Sequence, residues 1–290
     1  MTIGDTQALP SATLAVIGTP IGNLGDMSAR AIEVLKSVDV LCCEDKRRTG
    51  ILLGHIGVRV PMMLVANEHT EVGVVDDVLG RLGRGQRIGF VADAGMPTVS
   101  DPGSRMVSAV HDAGFNVTVI PGPAAVTSAL AVSGLRAERF MFEGFLPRKG
   151  SSRKQRMNDI GASTVTSVLY EAPHRVRRTL SDLSDVCGAD RTVVVVKELT
   201  KRYETVLKTS LAEAVDHFEH TEPRGEFVLV VDGNTGGNAP VTDETIIGLV
   251  ADAVGEGTSL SDSVRLVASE LGVPRRRVYK LALDSNVGRS

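Results

Sequence analysis

The 290-residue chain lacks tryptophan, and aromatic residues of all kinds make up only 3% of it. Proteins that bind single-stranded nucleic acid by stacking use several aromatic platforms, so this composition argues against that mode of binding. The chain also lacks a large excess of either charge, because its formal net charge is −3. This near balance argues against a protein whose whole surface binds a polyanion, but it is compatible with local basic patches.

Cysteine is scarce. The three cysteines are Cys42, Cys43 and Cys187, and they form no CxxC pair, which argues against a zinc knuckle or a disulfide framework. Cys42 and Cys43 are adjacent in an apolar run typical of a strand, so we expect reduced core side chains on opposite faces. The six histidines are scattered along the chain, and we predict no metal site.

Signals for export, membrane insertion and several common chemistries are missing as well. No charged segment precedes an apolar signal-like run, and no apolar run is long enough to span a bilayer. We therefore expect a cytoplasmic protein with no membrane partner. The motifs GxGxxG, GxxxxGK(S/T) and GxSxG are absent, which argues against Rossmann dinucleotide enzymes, P-loop NTPases and hydrolases with a nucleophile elbow.

Apolar runs and helical patterns alternate along most of the chain. The predicted strands cover residues 13–17, 38–43, 60–65, 87–92 and 116–120 in a first part, and 139–143, 164–170, 191–197, 203–207 and 226–231 in a second part. The predicted helices cover 28–37, 102–113, 149–160, 173–186 and 210–219, the second of them starting directly after Asp101. This alternation predicts an α/β fold with a parallel sheet in the first part, and the closer strand spacing favours a mixed sheet in the second.

The same pattern indicates the domain organisation. We expect two α/β domains, 13–123 and 124–232, a loose lead at 1–12, a linker at 233–242 and a helical extension at 243–290. In the extension, a glycine-containing turn separates one helix from a basic helix that begins near Pro274. Such a pattern is typical of a helix-turn-helix, and equally of an ordinary α-hairpin with a solvated basic face.

Four short turns follow predicted strands directly, at residues 18–24, 44–50, 93–97 and 121–125. In an open α/β sheet, ligands bind beyond the carboxyl ends of the strands. Glycine in such turns lets a ligand or another backbone come close to the chain. A single Gly-Pro turn is usually only a turn, but four of them at strand ends predict one binding crevice.

Charged residues cluster at the strand ends and in three basic segments. A carboxylate at a strand end is often a helix cap, while several around one crevice are candidate acid–base groups. The basic segments are 148–156, residues 175–178 and residues 275–280. A charge run is usually a solvated helix face, but three of them in a net acidic chain favour a protein that binds phosphate groups with part of its surface.

Eight segments together resemble one known family. They are TPIGNLGDMSARAIEVL (19–35), CEDKRRTGILL (43–53), VADAGMPTVSDPG (91–103), PGPAAVTSAL (121–130), RFMFEGFLPRKG (139–150), YEAPHR (170–175), KELTKRYE (197–204) and RGEFVLVV (224–231). On these segments the chain resembles the class III, tetrapyrrole-methylase-like methyltransferases that depend on S-adenosylmethionine. It resembles most those that methylate a cytidine 2′-hydroxyl of small-subunit ribosomal RNA. One departure is Lys46, where many relatives have threonine.

The resemblance implies two α/β domains with S-adenosylmethionine in the cleft between them, usually in a homodimer, and small-subunit ribosomal RNA or the small ribosomal subunit as partner. The implied cofactor-binding residues are Pro20, Asp93, Ala94, Gly95, Met96, Ser100, Ala124, Ala125, Val126, Tyr170, Gly225 and Glu226. The candidates for a base or an orienting group, unranked, are Glu44, Asp45, Glu171, His174 and Lys201. The candidates for RNA phosphate contacts are Arg47, Arg48, Arg148, Lys149, Arg153 and Arg175.

Two other functions are compatible with such a fold. One is C-methylation of a tetrapyrrole or corrin, and the other is a non-catalytic RNA-binding assembly factor. The basic segments favour RNA over a porphyrinoid, and a pure binding module has no need of an intact cofactor cleft. Fold alone does not decide function.

Overall fold

The computed structural model describes residues 9–67, 70–234, 242–255, 257–271, 273–285 and 287. The chain divides into two compact units, Met1–Asp232 and Gly233–Ser290. Of the expected loose lead, residues 1–8 lie outside the described residues, and Leu9 is buried in the core. Of the expected linker, residues 235–241 lie outside them as well.

The first sheet has five parallel strands in the order β3-β2-β4-β1-β5. They are β1 (Thr13–Ile17), β2 (Val40–Cys43), β3 (Met63–Val65), β4 (Ile88–Val91) and β5 (Asn116–Ile120), and the helices between them are α1 (Ala29–Ser37), α2 (Lys46–His55), α3 (Glu71–Gly83) and α4 (Ser104–Asp112). The chain leaves the neighbouring strands β1 and β4 in opposite directions, toward β2 and β5. A crevice opens at such a switch point, at the carboxyl ends of the strands.

The first sheet is buried on both faces, as a parallel sheet covered by helices requires. Cys43 packs in the cluster of Ile17 and Leu35, and Cys42 packs in the cluster of Phe90 and Met106. The expectation that the two cysteines lie on opposite faces is therefore confirmed. Burial raises the pKa of the Cys42 thiol to about 12, so this thiol stays protonated and unreactive.

The second sheet is mixed, with the order β6-β7-β10-β8-β9. Its strands are β6 (Phe140–Phe145), β7 (Thr166–Glu171), β8 (Thr192–Lys197), β9 (Thr205–Ser210) and β10 (Phe227–Val231), and the helices of this part are α5 (Ala125–Ser133), α6 (Ser151–Ala162), α7 (Val176–Cys187) and α8 (Leu211–His220). Only β6 and β7 pair in parallel. One face packs on α5, and the other packs on α6, α7 and α8. The predicted α/β fold with two sheets is confirmed.

Two local predictions are wrong. The expected turn at 44–50 is mostly helix, because Asp45 caps α2 by accepting a hydrogen bond from the backbone of Arg47 at 2.7 Å. The helix predicted over 102–113 does not start directly after Asp101, since α4 begins at Ser104 with Gly103 in the cap position. Asp101 is instead part of the loop between β4 and α4.

The unit Gly233–Ser290 is helical, as predicted, with α9 (Asp243–Gly255), α10 (Leu260–Glu270) and α11 (Arg275–Asp284). Its core includes Ile246, Val264 and Val278, one from each helix. An ion pair of 2.7 Å joins Arg277 to Asp243. The helix-turn-helix and α-hairpin interpretations both stay predictions. Within the described part of the chain, no helix is both long and apolar enough to cross a membrane.

Candidate active site

A cavity of about 430 Å³ lies within the unit Met1–Asp232, where loops of the first sheet face the second sheet. The loops that follow β2 and β4 form one wall, and β7, β8 and β10 with their adjoining loops form the other. Nine residues that the sequence implied for cofactor binding line it: Asp93, Ala94, Gly95, Met96, Ser100, Ala124, Ala125, Tyr170 and Glu226. The other three, Pro20, Val126 and Gly225, are chain neighbours of lining residues.

Two of the predicted turns meet backbone to backbone. A Cβ atom on Gly18 would lie 2.7 Å from the Cα of Gly122, and one on Gly122 would lie 2.8 Å from the Cα of Gly18. These two glycines therefore serve the contact between the turns that follow β1 and β5. Gly95 is different, because its φ of +81° places it in the left-handed region and it lines the cavity.

The turn at Gly95 is fixed by a pair of hydrogen bonds. Thr19 N donates to Gly95 O at 2.9 Å, and Gly95 N donates to Thr19 O at 3.1 Å. A Cβ on Gly95 would lie 3.2 Å from the side chain of Ile21, another lining residue. These contacts therefore hold the backbone of the first wall in a fixed position beside the cavity.

Carboxylates of the first wall face this cavity. Asp93 Oδ2 accepts from Arg48 Nη1 at 2.8 Å, while Asp93 Oδ1 is buried and has no hydrogen-bond partner among the described residues. Glu44 Oε2 accepts from Asp93 N at 3.4 Å. Burial, followed by the negative charges of Glu44 and Asp93, raises the pKa of Asp101 to about 6.

The second wall holds its acidic side chain more tightly. Glu171 is only 2% exposed. Its Oε1 pairs with Arg175 Nε at 3.1 Å and accepts from Ala172 N at 2.9 Å, and its Oε2 accepts from Thr179 Oγ1 at 2.6 Å. Both oxygens are thus occupied by donors from the protein itself.

Tyr170 connects the second wall to the start of α5. Its hydroxyl accepts from Val126 N at 3.2 Å, and its ring packs edge-on against Phe142 and Phe145 with centroids 5.0 and 5.6 Å away. The hydroxyl satisfies one of the amides that a helix leaves free at its N-terminus. The ring is thereby fixed in the cavity wall.

Comparison with known proteins decides the family. Residues 13–215 match the model of the family described as Tetrapyrrole (Corrin/Porphyrin) Methylases. A Synechocystis protein named ribosomal RNA small subunit methyltransferase I is 40% identical over 93% of this chain and 97% of its own length. A protein of the same name from Escherichia coli O157:H7 is 36% identical over 93% of this chain and 94% of its own. The chain belongs to the ribosomal RNA small subunit methyltransferase I family.

Solved structures show the fold of this family more widely. Cobalt precorrin-4 methyltransferase superposes with a TM-score of 0.58 at 16% identity, covering 76% of this chain and 95% of its own. Uroporphyrin-III-C-methyltransferase from Thermus thermophilus gives 0.55 at 16% identity, with 76% and 96% covered. At such identities the likeness shows the fold alone. It agrees with the two five-stranded sheets of this chain.

Three of the base candidates do not face the cavity as free groups. Asp45 caps α2, and His174 is exposed in the short 3-10 helix Pro173–Arg175 and does not line the cavity. Lys201 pairs with Glu198 at 2.9 Å and Glu226 at 3.1 Å. Burial lowers the pKa of Lys201, but these hydrogen bonds outweigh burial and raise it overall, so the ammonium form does not act as a base at neutral pH.

The RNA candidates separate into exposed and buried groups. Arg47, Arg148 and Lys149 are exposed, and Arg48 lines the cavity in its ion pair with Asp93. Arg153 is only 5% exposed, and its Nη2 donates to Asp182 Oδ2 at 2.7 Å and to Thr179 Oγ1 at 3.1 Å. Two predictions therefore need correction, since Arg153 and the Glu171 partner Arg175 stabilise this part of the fold and do not offer free charges to RNA.

Asp101 lines the cavity although it was not among the site residues predicted from the sequence. It lies in the segment VSDPG that carried the family resemblance, where the pattern marked it only as the residue before a predicted helix. Its position in a strand-end loop was the available signal. The loop is longer than the pattern of residues 93–97 indicated, so the lining extends to Val99, Ser100 and Asp101.

Proposed function

We propose that this chain transfers a methyl group from S-adenosylmethionine to the 2′-hydroxyl of a cytidine in small-subunit ribosomal RNA. The chain is a methyltransferase of the family identified above, and the proposal extends this to acceptor atom and nucleotide. The observation that carries it is the match over 93% of the chain to relatives named for ribosomal RNA, together with a cavity that fits the cofactor.

The fit rests on the chemistry of the cavity walls. A volume of about 430 Å³ is within the usual range for ligand pockets. S-adenosylmethionine carries an ammonium and a sulfonium. The carboxylate of Glu44 and the buried Oδ1 of Asp93, which has no partner in the described part of the chain, suit such charges. Ala94, Gly95 and Ala124 leave room for the ligand to approach the backbone. When bound, the cofactor supplies the activated methyl group.

The protein's own task is then alignment and proton removal. Residues of both walls would align the acceptor with the bound cofactor, and such alignment lowers the entropic barrier to transfer. Exposed Arg148 and Lys149 follow Phe145, a lining residue at the end of β6. From there their side chains can contact RNA phosphates near the cavity. A 2′-hydroxyl acceptor also separates RNA from DNA.

The alternatives receive less support. Tetrapyrrole and corrin methyltransferases share the fold at 16% identity, against 40% for the ribosomal RNA relative. A non-catalytic assembly factor does not require the carboxylates of Glu44, Asp93 and Asp101 that line this cavity. Neither alternative accounts for both the relatives and the site.

We propose in addition that the protein is a cytoplasmic homodimer. Support for the dimer comes from apolar side chains exposed on the edge strands, Val119 on β5 and Phe140 on β6. Exposed edges of this kind are commonly covered in an assembly. Sedimentation equilibrium of the full chain tests it, since a mass of one chain at micromolar concentration contradicts the proposal.

The decisive experiment uses labelled methyl transfer to small ribosomal subunits that lack the modification. A 2′-O-methyl group blocks alkaline cleavage at the next phosphate, so label in an alkali-resistant dinucleotide that begins with cytidine is the expected result. Label in mononucleotides would indicate base methylation. No transfer to subunits or naked RNA, despite cofactor binding, would indicate a small-molecule acceptor.

A matched pair of variants tests the cofactor site in the same assay. Asp93→Asn removes a cavity charge, and we expect S-adenosylmethionine to bind about 10- to 100-fold more weakly, in line with loss of a charged hydrogen bond. Asp45→Asn is the control, because asparagine also caps helices and residue 45 does not line the cavity. Equal affinity in the two variants would contradict the assignment of Asp93.

A further inference from the structure

The strand β6 contains a bulge shortly before it ends at the cavity. Phe142 and Gly144 pair with consecutive residues of β7, so Glu143 between them is an extra residue in the ladder. Gly144 has a φ of +55°, a conformation that favours glycine. A Cβ on Gly144 would also lie 2.8 Å from Ser100 Oγ, on the opposite wall. Bulges redirect the side chains that follow them and are frequent beside active sites.

The bulge determines the face of the sheet on which Phe145 lies. Strict alternation from Phe142 would place Gly144 and Leu146 on its face and Phe145 on the other. Instead, Phe145 pairs with Tyr170, and the two rings pack edge-on with centroids 5.6 Å apart. Leu146 belongs to the core on the opposite face. The extra residue therefore turns the ring of Phe145 toward the cavity.

Two arginine side chains hold the backbone that follows Phe145. Arg175 Nη2 donates to Leu146 O at 2.7 Å, and Arg153 Nη1 donates to Pro147 O at 3.2 Å. These are the two arginines that the ion pairs of the fold make unavailable to RNA. The position of the Phe145 ring is thus fixed by its neighbours in the sheet and by these contacts.

The ring of Phe145 is held in place but is largely uncovered. It is 53% exposed and lines the cavity. Three other aromatic side chains in the described part of the chain are similarly exposed, Phe140, Tyr203 and Tyr279, and none of them lines it. An exposed apolar ring gains free energy when another apolar or planar group covers it. Phe145 is therefore placed to receive a planar part of a ligand.

The proposed reaction brings two planar groups to this cavity, the adenine of the cofactor and the base of the acceptor nucleotide. Buried Val196 and Val228 line the cavity from β8 and β10, in the interior of the sheet, and suit an enclosed cofactor. Phe145 instead ends an edge strand. The exposed cations Arg148 and Lys149 follow it and suit phosphates. This position favours the acceptor base.

We propose that Phe145 is the platform on which the base of the acceptor nucleotide stacks. This inference rests on the proposed function and adds to it a residue that contacts the substrate. Proteins commonly recognise RNA through unstacked nucleotides whose bases stack on aromatic side chains. A base on this ring lies at the rim of the cavity, which brings its ribose to the site of methyl transfer. The scarcity of aromatic residues argues against several platforms and is compatible with one.

The first test compares wild type, Phe145→Leu, Phe145→Tyr and Phe140→Leu on small ribosomal subunits that lack the modification. Single-turnover reactions with saturating S-adenosylmethionine give the half-saturating enzyme concentration, and equilibrium dialysis gives the cofactor Kd. Leucine removes the aromatic face and stays apolar, while tyrosine keeps the ring. Phe140→Leu is the matched control, because Phe140 is exposed on the same strand and does not line the cavity.

We expect Phe145→Leu to raise the half-saturating concentration about 5- to 50-fold, within the range for loss of one base–aromatic stack. Its cofactor Kd should not change, and neither should its melting temperature, because the ring is exposed. Phe145→Tyr and Phe140→Leu should both behave as wild type. The proposal is overturned if Phe145→Leu binds subunits as wild type does, if a weaker cofactor Kd explains its loss, or if Phe145→Tyr loses as much.

A second measurement uses the absence of tryptophan from the chain. Phe145→Trp and Phe140→Trp each introduce a single fluorescent side chain, so no folded leucine variant is needed. Protein-free small-subunit ribosomal RNA should quench Phe145→Trp by stacking more than it quenches Phe140→Trp, and S-adenosylmethionine alone should quench neither. Equal responses of the two variants to RNA, or quenching of Phe145→Trp by the cofactor alone, contradict the assignment.

The two proposals fail in different ways. If the wild type methylates the ribose and Phe145→Leu binds subunits equally well, only the platform is wrong. If the wild type places no label in alkali-resistant dinucleotides, the proposed acceptor is wrong and the platform assignment falls with it.

Discussion

The two walls of the cavity both carry acidic side chains, but they treat them differently. The wall from the mixed sheet pairs Glu171 with Arg175 and Glu226 with Lys201. The wall from the parallel sheet leaves Asp101 and one oxygen of Asp93 without a partner among the described residues. The ion pairs of the second wall keep the shape of the site. The carboxylate oxygens of the first wall that have no partner give the site a negative potential, which suits a cationic ligand.

The largest expected effect comes from breaking the buried pair of the second wall. Glu171→Ala leaves Arg175 without its carboxylate in a largely buried position, and we expect the free energy of unfolding to fall by about 3–5 kcal/mol. Urea denaturation followed by circular dichroism measures it. The control is Glu226→Ala, whose side chain is 77% exposed and should cost less than about 1 kcal/mol. Equal losses would refute the distinction between the walls.

Neutralising Asp101 in the first wall should raise the free energy of unfolding instead of lowering it. The pKa of Asp101 rises from 3.8 to about 6 on folding, so the folded state binds its proton more tightly than the unfolded state. The group's stabilising contribution is complete below about pH 4 and is lost as pH rises through 6. We therefore expect Asp101→Asn to match wild type near pH 4 and to be about 2 kcal/mol more stable at pH 8. A variant that is less stable at pH 8 would remove the basis for this contrast.

The smallest expected effect concerns the basic segment 148–156. This segment contains exposed basic side chains as well as the buried, ion-paired Arg153. Replacing exposed Arg148 and Lys149 by alanine should weaken RNA binding by about 1 kcal/mol and reduce the slope of log affinity against log salt. Filter binding over a salt series measures both. Arg153→Ala is the comparison, since its loss should lower the melting temperature and leave the slope unchanged. A slope change of the same size in Arg153→Ala would contradict the assignment.

Strand positions were predictable where the apolar pattern is strong. The limits of β1 and β5, Thr13–Ile17 and Asn116–Ile120, agree with the predicted ranges. The edge strand β9 runs from Thr205 to Ser210 and not over 203–207, because its residues are largely exposed and leave a weak pattern. The helix α2 was missed because Gly50 and its charged first turn read as a loop.

The backbone of the site was predictable, and the roles of its side chains were not. Glycine and proline at strand ends marked the turns that line the cavity, since local sequence determines such turns. Whether an arginine binds RNA or stabilises the core depends on distant partners, as with Arg153 and Asp182, which belong to different helices. The same holds for Asp101, because only the fold determines that it has no partner among the described residues.

The cavity draws its walls from a long stretch of chain, from Ile21 at one end to Val228 at the other. During synthesis, a nascent chain therefore has the complete set of lining residues only after Val228 has been added. Domains generally fold as units during synthesis. The strand β10 lies in the middle of its sheet although it is the last one made. Completion of the second sheet therefore also completes the wall of this cavity, near the end of the first unit's translation.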